Sequence, residues 1–379
     1  MTTKTKIAII GCGNISSIYI QNAYRIPSLE LLALADLDPA RPLAKIEEIK
    51  SKWREWNLPS EPKLPRPLTV EQLLADPHIQ LVINLTIPKA HAEVALQCLH
   101  AGKHTYHEKP FALSRTEGQK ILDTAKQKKL TVGCAPDTFL GAGIQTARKI
   151  IDDGLIGEPV ACSAFMTCPG HEWWHPDPEF YYQPGGGPMF DMGPYYLTTL
   201  VNLLGPIARI TGFARATRPT RTITSQKKNG TLIPVETPTH IASTLQFRNG
   251  AIGTMIMSFD VFGANLPRIE IYGSKGSLSV PDPNRFDGDV RMKIGRGDWE
   301  TVLLTYGNRR DMRGIGAAET GIAAQRGAIP RPAAALGYHV LEVMEASLET
   351  ARTGKSIEIL STVDRPAPLP PGLDDGVIP

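Results

Sequence analysis

The sequence predicts two domains of different class: an N-terminal α/β domain with a doubly wound parallel sheet, and a C-terminal mixed α+β domain dominated by antiparallel strands. Three observations carry this reading. Short β-branched runs alternate with amphipathic stretches as far as residue 135, and a glycine-rich turn follows the first run. From about residue 136 the strand patterns lengthen, with a hairpin signal between two of them. A length of 379 residues suits two cores rather than one. With 42% hydrophobic and 21% charged residues, the chain can bury enough apolar surface to fold, which excludes a disordered class. No apolar run approaches the roughly 18 residues of a membrane span. Lys+Arg 41 against Asp+Glu 38 leaves +3. The basic residues are scattered, without the basic face of a nucleic-acid binder, so neither nucleic acid nor membrane is expected as a partner.

The first strand is Lys6–Ile10, leading into Gly11-Cys12-Gly13-Asn14-Ile15-Ser16 and a helix to about Tyr24. A second strand, Leu29–Leu34, ends at Ala35-Asp36. Helices follow at Pro39–Trp56 and Val70–Leu74, then a buried strand at Leu81–Thr86. Pro88–Leu99 reads as a helix stopped by Gly102, Thr105–Glu108 as a strand, and Ser114-x-x-Glu117 as a capping box opening a helix to about Lys128. Leu130–Ala135 closes this domain, expected to span 1–135. The proline cluster at 59–67 reads as an extended insertion.

Strand, glycine turn, helix and strand ending in an acid form the pattern of a dinucleotide-binding βαβ unit, the Rossmann arrangement. Gly11 permits the tight turn, and Gly13, Asn14 and Ile15 bring backbone N–H groups to a pyrophosphate at the helix N-terminus. Ser16 replaces the third glycine. Asp36 is placed to accept hydrogen bonds from the adenosine ribose hydroxyls and to repel a 2′-phosphate, so NAD is expected in preference to NADP. Ligands of such sheets bind beyond the C-terminal strand ends, which singles out Thr86, Pro88, Glu108 and Lys109 as well. A lysine there can steady the oxyanion that forms as hydride leaves an alcohol.

The second domain, expected to span 136–379, begins with a helix from about Gly141 to Asp153, then the strand Val160–Thr167. The next loop is rich in aromatic and ionisable residues: His171, Glu172, Trp173, Trp174, His175, Asp177, Phe180, Tyr181 and Tyr182. A helix runs from about Met189 to Leu204, placing Asp191 and Tyr195 on one face. Strands follow at Ile207–Ala216, His240–Phe247, Ala251–Asp260, Arg268–Tyr272 and Ser277–Val280, with Arg248-Asn249-Gly250 reading as a type I′ hairpin. The last helix is Ala333–Thr353, before a loose proline-rich tail at 365–379. His171–His175 spells HExxH, yet prolines on both sides leave no room for the helix a zinc site needs, so no metal is expected. The rings are better suited to stacking on a sugar, with His171, Glu172, His175 and Asp177 meeting hydroxyls; packing of Trp173 and Trp174 in a core or interface is the alternative. Cys12, Cys98, Cys134, Cys162 and Cys168 form no CxxC pair, and no secretory h-region precedes the first glycines. A reducing, cytoplasmic location is expected.

The GxGxxS turn with Asp36, Thr86-x-Pro88 with His91, Glu108-Lys109-Pro110, and Asp191 on the helix after Gly185–Gly187 together resemble the glucose–fructose oxidoreductase / inositol dehydrogenase / rhizopine-catabolism (Gfo/Idh/MocA) family along nearly the whole chain. The resemblance implies a catalytic lysine at Lys109 and a glutamate at Glu108 that orients it and contacts the cofactor. It also adds His91 to the cofactor set and implies an open sheet that mediates homodimers or homotetramers. The family usually has histidine four residues after the aspartate; here Tyr195 stands there, as in the glucose–fructose oxidoreductase branch. The expected activity is NAD-dependent hydride transfer at a CH–OH carbon of a sugar, sugar derivative or cyclitol. Lys109, Asp191 and Tyr195 are the catalytic candidates; with Lys109, Asp191 and Tyr195, His171, Trp174 and His175 would bind substrate. Proton handling by Lys109 alone or by His171 or His175, an NAD-dependent glycosidase or C-glycoside lyase working through transient oxidation, and a non-catalytic dinucleotide-binding relative remain open alternatives.

Overall fold

The computed structural model describes residues 3–58 and 60–379. The chain divides into two compact units. The first takes in the chain up to Ala142 together with Thr305–Tyr338 and Pro366–Pro379, and the second takes Gly143–Leu304 and His339–Arg365.

In the first unit the elements run β1 (Thr5–Ile10), α1 (Ser16–Arg25), β2 (Leu29–Ala35), α2 (Ala40–Lys52), β3 (Arg66–Pro67), α3 (Val70–Ala75), β4 (Leu81–Asn84), α4 (His91–His100), β5 (His104–His107), α5 (Arg115–Lys128) and β6 (Val132–Cys134). The six strands pair in the order β3-β2-β1-β4-β5-β6, all parallel. This is the doubly wound order, reversing between β1 and β4. Ile7, Ile9, Leu81 and Val82 are wholly buried, because helices cover both faces of such a sheet. Each large apolar side chain so buried contributes about 1.5–3 kcal/mol. Ile10 pairs with both Ala35 and Asn84, so the Gly11 turn, Asp36 and Leu85-Thr86 leave the sheet side by side.

Several local expectations change. The segment 88–99 splits into a 3₁₀ turn at Pro88–Ala90 and α4, and α2 ends at Lys52 rather than continuing to Trp56. Ser114 Oγ accepts from the Glu117 N–H, but Glu117 Oε2 takes the N–H of Leu113, so the capping box is only half made; the reciprocal box is at Thr69 and Gln72. Pro59 lies outside the described residues. The remainder of the expected insertion is anchored by the Tyr24 hydroxyl on the Lys63 carbonyl, and it ends in β3, an edge strand paired with β2.

The 305–338 segment carries a helix, Ile315–Arg326, which the strand-and-turn reading missed and which packs on β1, β5 and β6. Its glycines allow the close approach: a Cβ on Gly316 would meet the Tyr106 ring, and one on Gly321 would meet Thr5. Asp137, fully buried, caps its start by accepting the N–H groups of Gly314 and Gly316 at 2.8 and 3.0 Å. The tail is docked rather than loose. Arg331 binds the carbonyls of Ala367 and Pro368, Leu369 is buried, and the Gly376 N–H reaches Asn308.

The second unit holds α6 (Ala142–Asp152), β7 (Pro159–Thr167), α7 (Gly187–Leu204), β8 (Ile207–Arg215), β9 (Thr220–Thr222), β10 (Leu232–Pro234), β11 (His240–Phe247), β12 (Ile252–Ser258), β13 (Ile269–Gly273), β14 (Gly276–Val280), β15 (Val290–Ile294), β16 (Glu300–Val302) and β17 (Ile357–Glu358). Nine of these strands form one sheet in the order β16-β15-β14-β13-β7-β12-β11-β8-β17. Only β7 and β12 pair in parallel; all other neighbours are antiparallel. The β11–β12 hairpin is present, but its turn is not type I′. Phe247 N–H bonds Ala251 across a three-residue loop, and there only Gly250 has positive φ, whereas type I′ needs two such residues. Asn249 instead uses its side chain, donating to the Leu204 carbonyl and accepting from the Ala251 N–H. Among the described residues no helix is long and apolar enough to cross a membrane.

Candidate active site

The first unit places a glycine turn at the start of α1. Gly11 has φ +102°, and a Cβ there would lie 2.6 Å from the Leu85 backbone, so only glycine lets the two strand-end loops touch. A Cβ on Gly13 would meet nothing within 4 Å. No side chain caps α1 at Ile15. Open space in front of uncapped helical N–H groups fits the pyrophosphate of a dinucleotide. Asp36 stands beside it, its Oδ2 accepting the Cys12 N–H at 2.7 Å and its Oδ1 the Asp38 N–H at 3.0 Å. Arg41 lies 3.8 Å from the same carboxylate. Cys12 is buried beside Asp36, and burial followed by that charge pushes its thiol up to about 12, so it is inert.

The strand-end residues form a second layer. Thr86 is fixed by Asn84, whose side-chain oxygen accepts both the backbone N–H and the hydroxyl of Thr86 at 3.2 and 2.7 Å. Glu108 is buried: Oε1 accepts the Tyr19 hydroxyl at 2.7 Å, and Oε2 the N–H of Lys109 at 2.8 Å. Burial and then Glu108 push the Tyr19 phenol well above its ordinary value, which keeps it a donor. The carboxylate thus clamps the backbone that carries Lys109, just ahead of a cis Lys109-Pro110 bond. His91 is only 1% exposed, and its two ring nitrogens face the carbonyls of Pro110 at 2.8 Å and Thr86 at 3.0 Å. It therefore ties together the two loops that carry Thr86 and Lys109. Tyr19 was not foreseen, because on a buried helix face a tyrosine reads as packing.

In the second unit, Pro188 lies in the first turn of α7, and Asp191 and Tyr195 follow on one face. Asp191 is half-buried and Tyr195 is buried at 7% exposure. The aromatic loop folds over Asp191. His171 Nε2 is 3.2 Å from Asp191 Oδ2, and the Trp174 indole N–H donates to His171 Nδ1 at 3.2 Å. Tyr181 and Phe259 pack on the imidazole, with ring centroids 4.3 and 4.6 Å away.

The other ionisable loop residues are engaged within the loop's own framework. Glu172 accepts from Arg221 at 2.6 Å and from the Tyr182 hydroxyl. Arg221 also binds Asp260 and the carbonyls of Pro169 and Phe259. Glu172 accordingly anchors the loop. Asp177 pairs with Lys227 and Lys228 on the surface, and its N–H donates to His175 Nδ1. Burial holds His175 below its ordinary pKa, favouring the neutral ring. The segment 171–175 makes a single turn, and Trp173 and Trp174 stay 61% and 49% exposed. Arg221 escaped sequence reading because it stands in a short polar strand; its burial marks it, and its ion pair marks half-buried Asp260.

Two family models match in tandem. The NAD-binding Rossmann domain of the GFO/IDH/MocA oxidoreductase family matches residues 5–135, and the C-terminal domain of the same family matches 144–279. A levoglucosan dehydrogenase of Pseudarthrobacter phenanthrenivorans is 25% identical over 72% of this chain and 71% of its own length. A myo-inositol 2-dehydrogenase of Thermotoga maritima is 23% identical over 72% and 74%. Among solved structures, a levoglucosan dehydrogenase in complex with NADH and L-sorbose superposes with TM-score 0.75 at 21% identity, over 94% of this chain and 99% of that one, a likeness of fold. With both domain models in register and together spanning well over half of the chain, the protein belongs to the GFO/IDH/MocA oxidoreductase family and carries its NAD-binding Rossmann domain.

Proposed function

We propose that this oxidoreductase transfers hydride between a CH–OH carbon of a sugar, sugar derivative or cyclitol and the nicotinamide of NAD. One observation carries the reading above others: Lys109 sits at a sheet's C-terminal edge on a backbone clamped by Glu108 and tied by His91. Such restraint is what a group needs to meet a reacting hydroxyl reproducibly. NAD, when bound, supplies the hydride acceptor. The Gly11–Ile15 turn and the α1 N-terminus hold its phosphates, and Asp36 takes its ribose hydroxyls.

On this reading Lys109 and Tyr195 handle the proton of the substrate hydroxyl, and Asp191 accepts a hydrogen bond that orients it. The polar and aromatic loop above Asp191 suits a polyol, whose ring offers an apolar face and several hydroxyls. The names of similar proteins, which include dehydrogenases of levoglucosan and myo-inositol, support that substrate class. The resemblance supports a homodimer or homotetramer as the working form.

The test is an assay of purified protein with NAD and a panel of sugars and cyclitols, read by reduced-nicotinamide absorbance. Turnover with members of the panel is expected. Cofactor binding without oxidation of any polyol would sink the proposal, and product release without net reduced cofactor would move it to transient oxidation.

A further inference from the structure

The loop histidine that reaches Asp191 has both ring nitrogens committed. An indole N–H can only donate, so Trp174 makes His171 Nδ1 the acceptor and leaves the ring proton on Nε2. That proton points at Asp191 Oδ2, 3.2 Å away. The direction of the chain is thereby set: Trp174 to His171 to Asp191. The ring cannot turn to break it without disturbing Tyr181 and Phe259, which pack on it. The backbone of the loop is held as well, through Glu172 on buried Arg221 and through the Tyr182 hydroxyl, which receives the His171 N–H at 3.3 Å.

We propose that His171 is a positioning residue for Asp191, with Trp174 fixing its tautomer, and that it neither carries the substrate proton nor serves as a primary hydroxyl ligand. It holds one carboxylate oxygen so that the acid on α7 meets a substrate hydroxyl in a single orientation. The inference rests on the proposed polyol oxidation for its consequence, but not for its hydrogen-bond geometry. Its chemistry predicts a specific pattern of replacement. A glutamine has an amide oxygen to accept from Trp174 and an amide N–H to donate to Asp191, yet it cannot titrate. A phenylalanine keeps the ring packing and loses both bonds.

The experiment compares wild type, His171→Gln, His171→Phe and Trp174→Phe for kcat and KM with the best polyol, with Tm as the control for folding. His171→Gln is expected to stay within roughly 3-fold of wild type, while His171→Phe loses on the order of 10²-fold in kcat, as misplaced catalytic groups do. Trp174→Phe is expected to fall between them. If His171→Gln is as impaired as His171→Phe at an unchanged Tm, the residue works by titration and the proposal is overturned. If His171→Phe is fully active, the contact is incidental and the proposal is also overturned. A wild type that oxidises no polyol defeats the functional reading instead. The inference is then decided by nitrogen NMR of His171, assigned by its loss in His171→Gln: protonation at Nε2 supports it and protonation at Nδ1 contradicts it.

Discussion

Nδ1 of His91 lies 2.8 Å from the carbonyl oxygen of Pro110, and its Nε2 lies 3.0 Å from that of Thr86. One ring at the first position of α4 therefore joins the loop after β4 to the loop after β5, where Lys109 is carried. A neutral imidazole has one N–H, so only the protonated ring donates to both carbonyls. Burial opposes that charge and sets the net direction, lowering the pKa, while the two carbonyls and Glu108 favour it. Replacing His91 by Asn, too short to span both carbonyls, should loosen the lysine loop. We expect kcat to fall by on the order of 10²-fold, with NADH affinity changing much less. Steady-state kinetics beside a fluorescence titration of NADH checks this; a parallel loss of both would mean a general folding defect.

Lys109→Ala removes the cation without removing the Glu108 clamp, since that clamp grips the backbone N–H. Turnover should drop by about 10²–10⁴-fold, the span of a lost acid–base group, while NADH still binds. Unchanged turnover would strip Lys109 of its role.

Asp36→Ala deletes the carboxylate beside the glycine turn, together with its bonds to the Cys12 and Asp38 N–H groups. Hydrogen bonds to a charged group are worth about 1.5–3 kcal/mol, so NAD affinity should weaken by roughly ten- to a hundred-fold. NADP, no longer repelled, should gain relative to NAD. Isothermal titration with both cofactors measures the ratio.

Two buried groups set opposite pH slopes on stability in the first unit. His107 is wholly buried; among the described residues neither ring nitrogen has a partner, and burial pushes its pKa down to about 3. The unfolded state then binds more protons between pH 6.5 and 3, so stability is lost as pH falls through that window, by about 5 kcal/mol. Asp137 is raised by burial to about 6. The folded state then binds more protons between pH 3.8 and 6, so its contribution, about 3 kcal/mol, is lost as pH rises. His107→Phe should remove the first slope and leave the protein more stable at pH 5 than wild type. Asp137→Asn, which keeps an acceptor for Gly314 and Gly316, should remove the second and steepen acid unfolding. Denaturant melts from pH 4 to 8 read both slopes.

The first domain was legible because its cues are local. Lys6–Ile10, the glycine turn and Asp36 sit within thirty or so residues, and helix–strand alternation fixes the topology around them. The Ile315–Arg326 helix was missed for the opposite reason. Its Gly- and Ala-rich sequence has little amphipathic contrast, and its partners β1, β5 and β6 lie about two hundred residues or more away in the chain. Helical spacing puts Asp191 and Tyr195 on one face and the family resemblance singles them out, whereas the joining of His171 to Asp191 needs a loop to fold back over a helix. A proline- and glycine-flanked loop has no period that reveals such a contact. The tail reads as loose and the 59–67 segment as an extended insertion because prolines lack a periodic pattern, yet Lys63 and the tail are each anchored through backbone carbonyls that composition does not show.

The most direct measurement follows the hydrogen itself. A polyol from the active panel, deuterated at its reacting CH–OH carbon, is incubated with the protein and NAD, and the reduced cofactor is examined by mass spectrometry. Direct hydride transfer predicts one deuterium in the released reduced nicotinamide for each oxidised product. Turnover with no deuterium in released cofactor would contradict net hydride transfer.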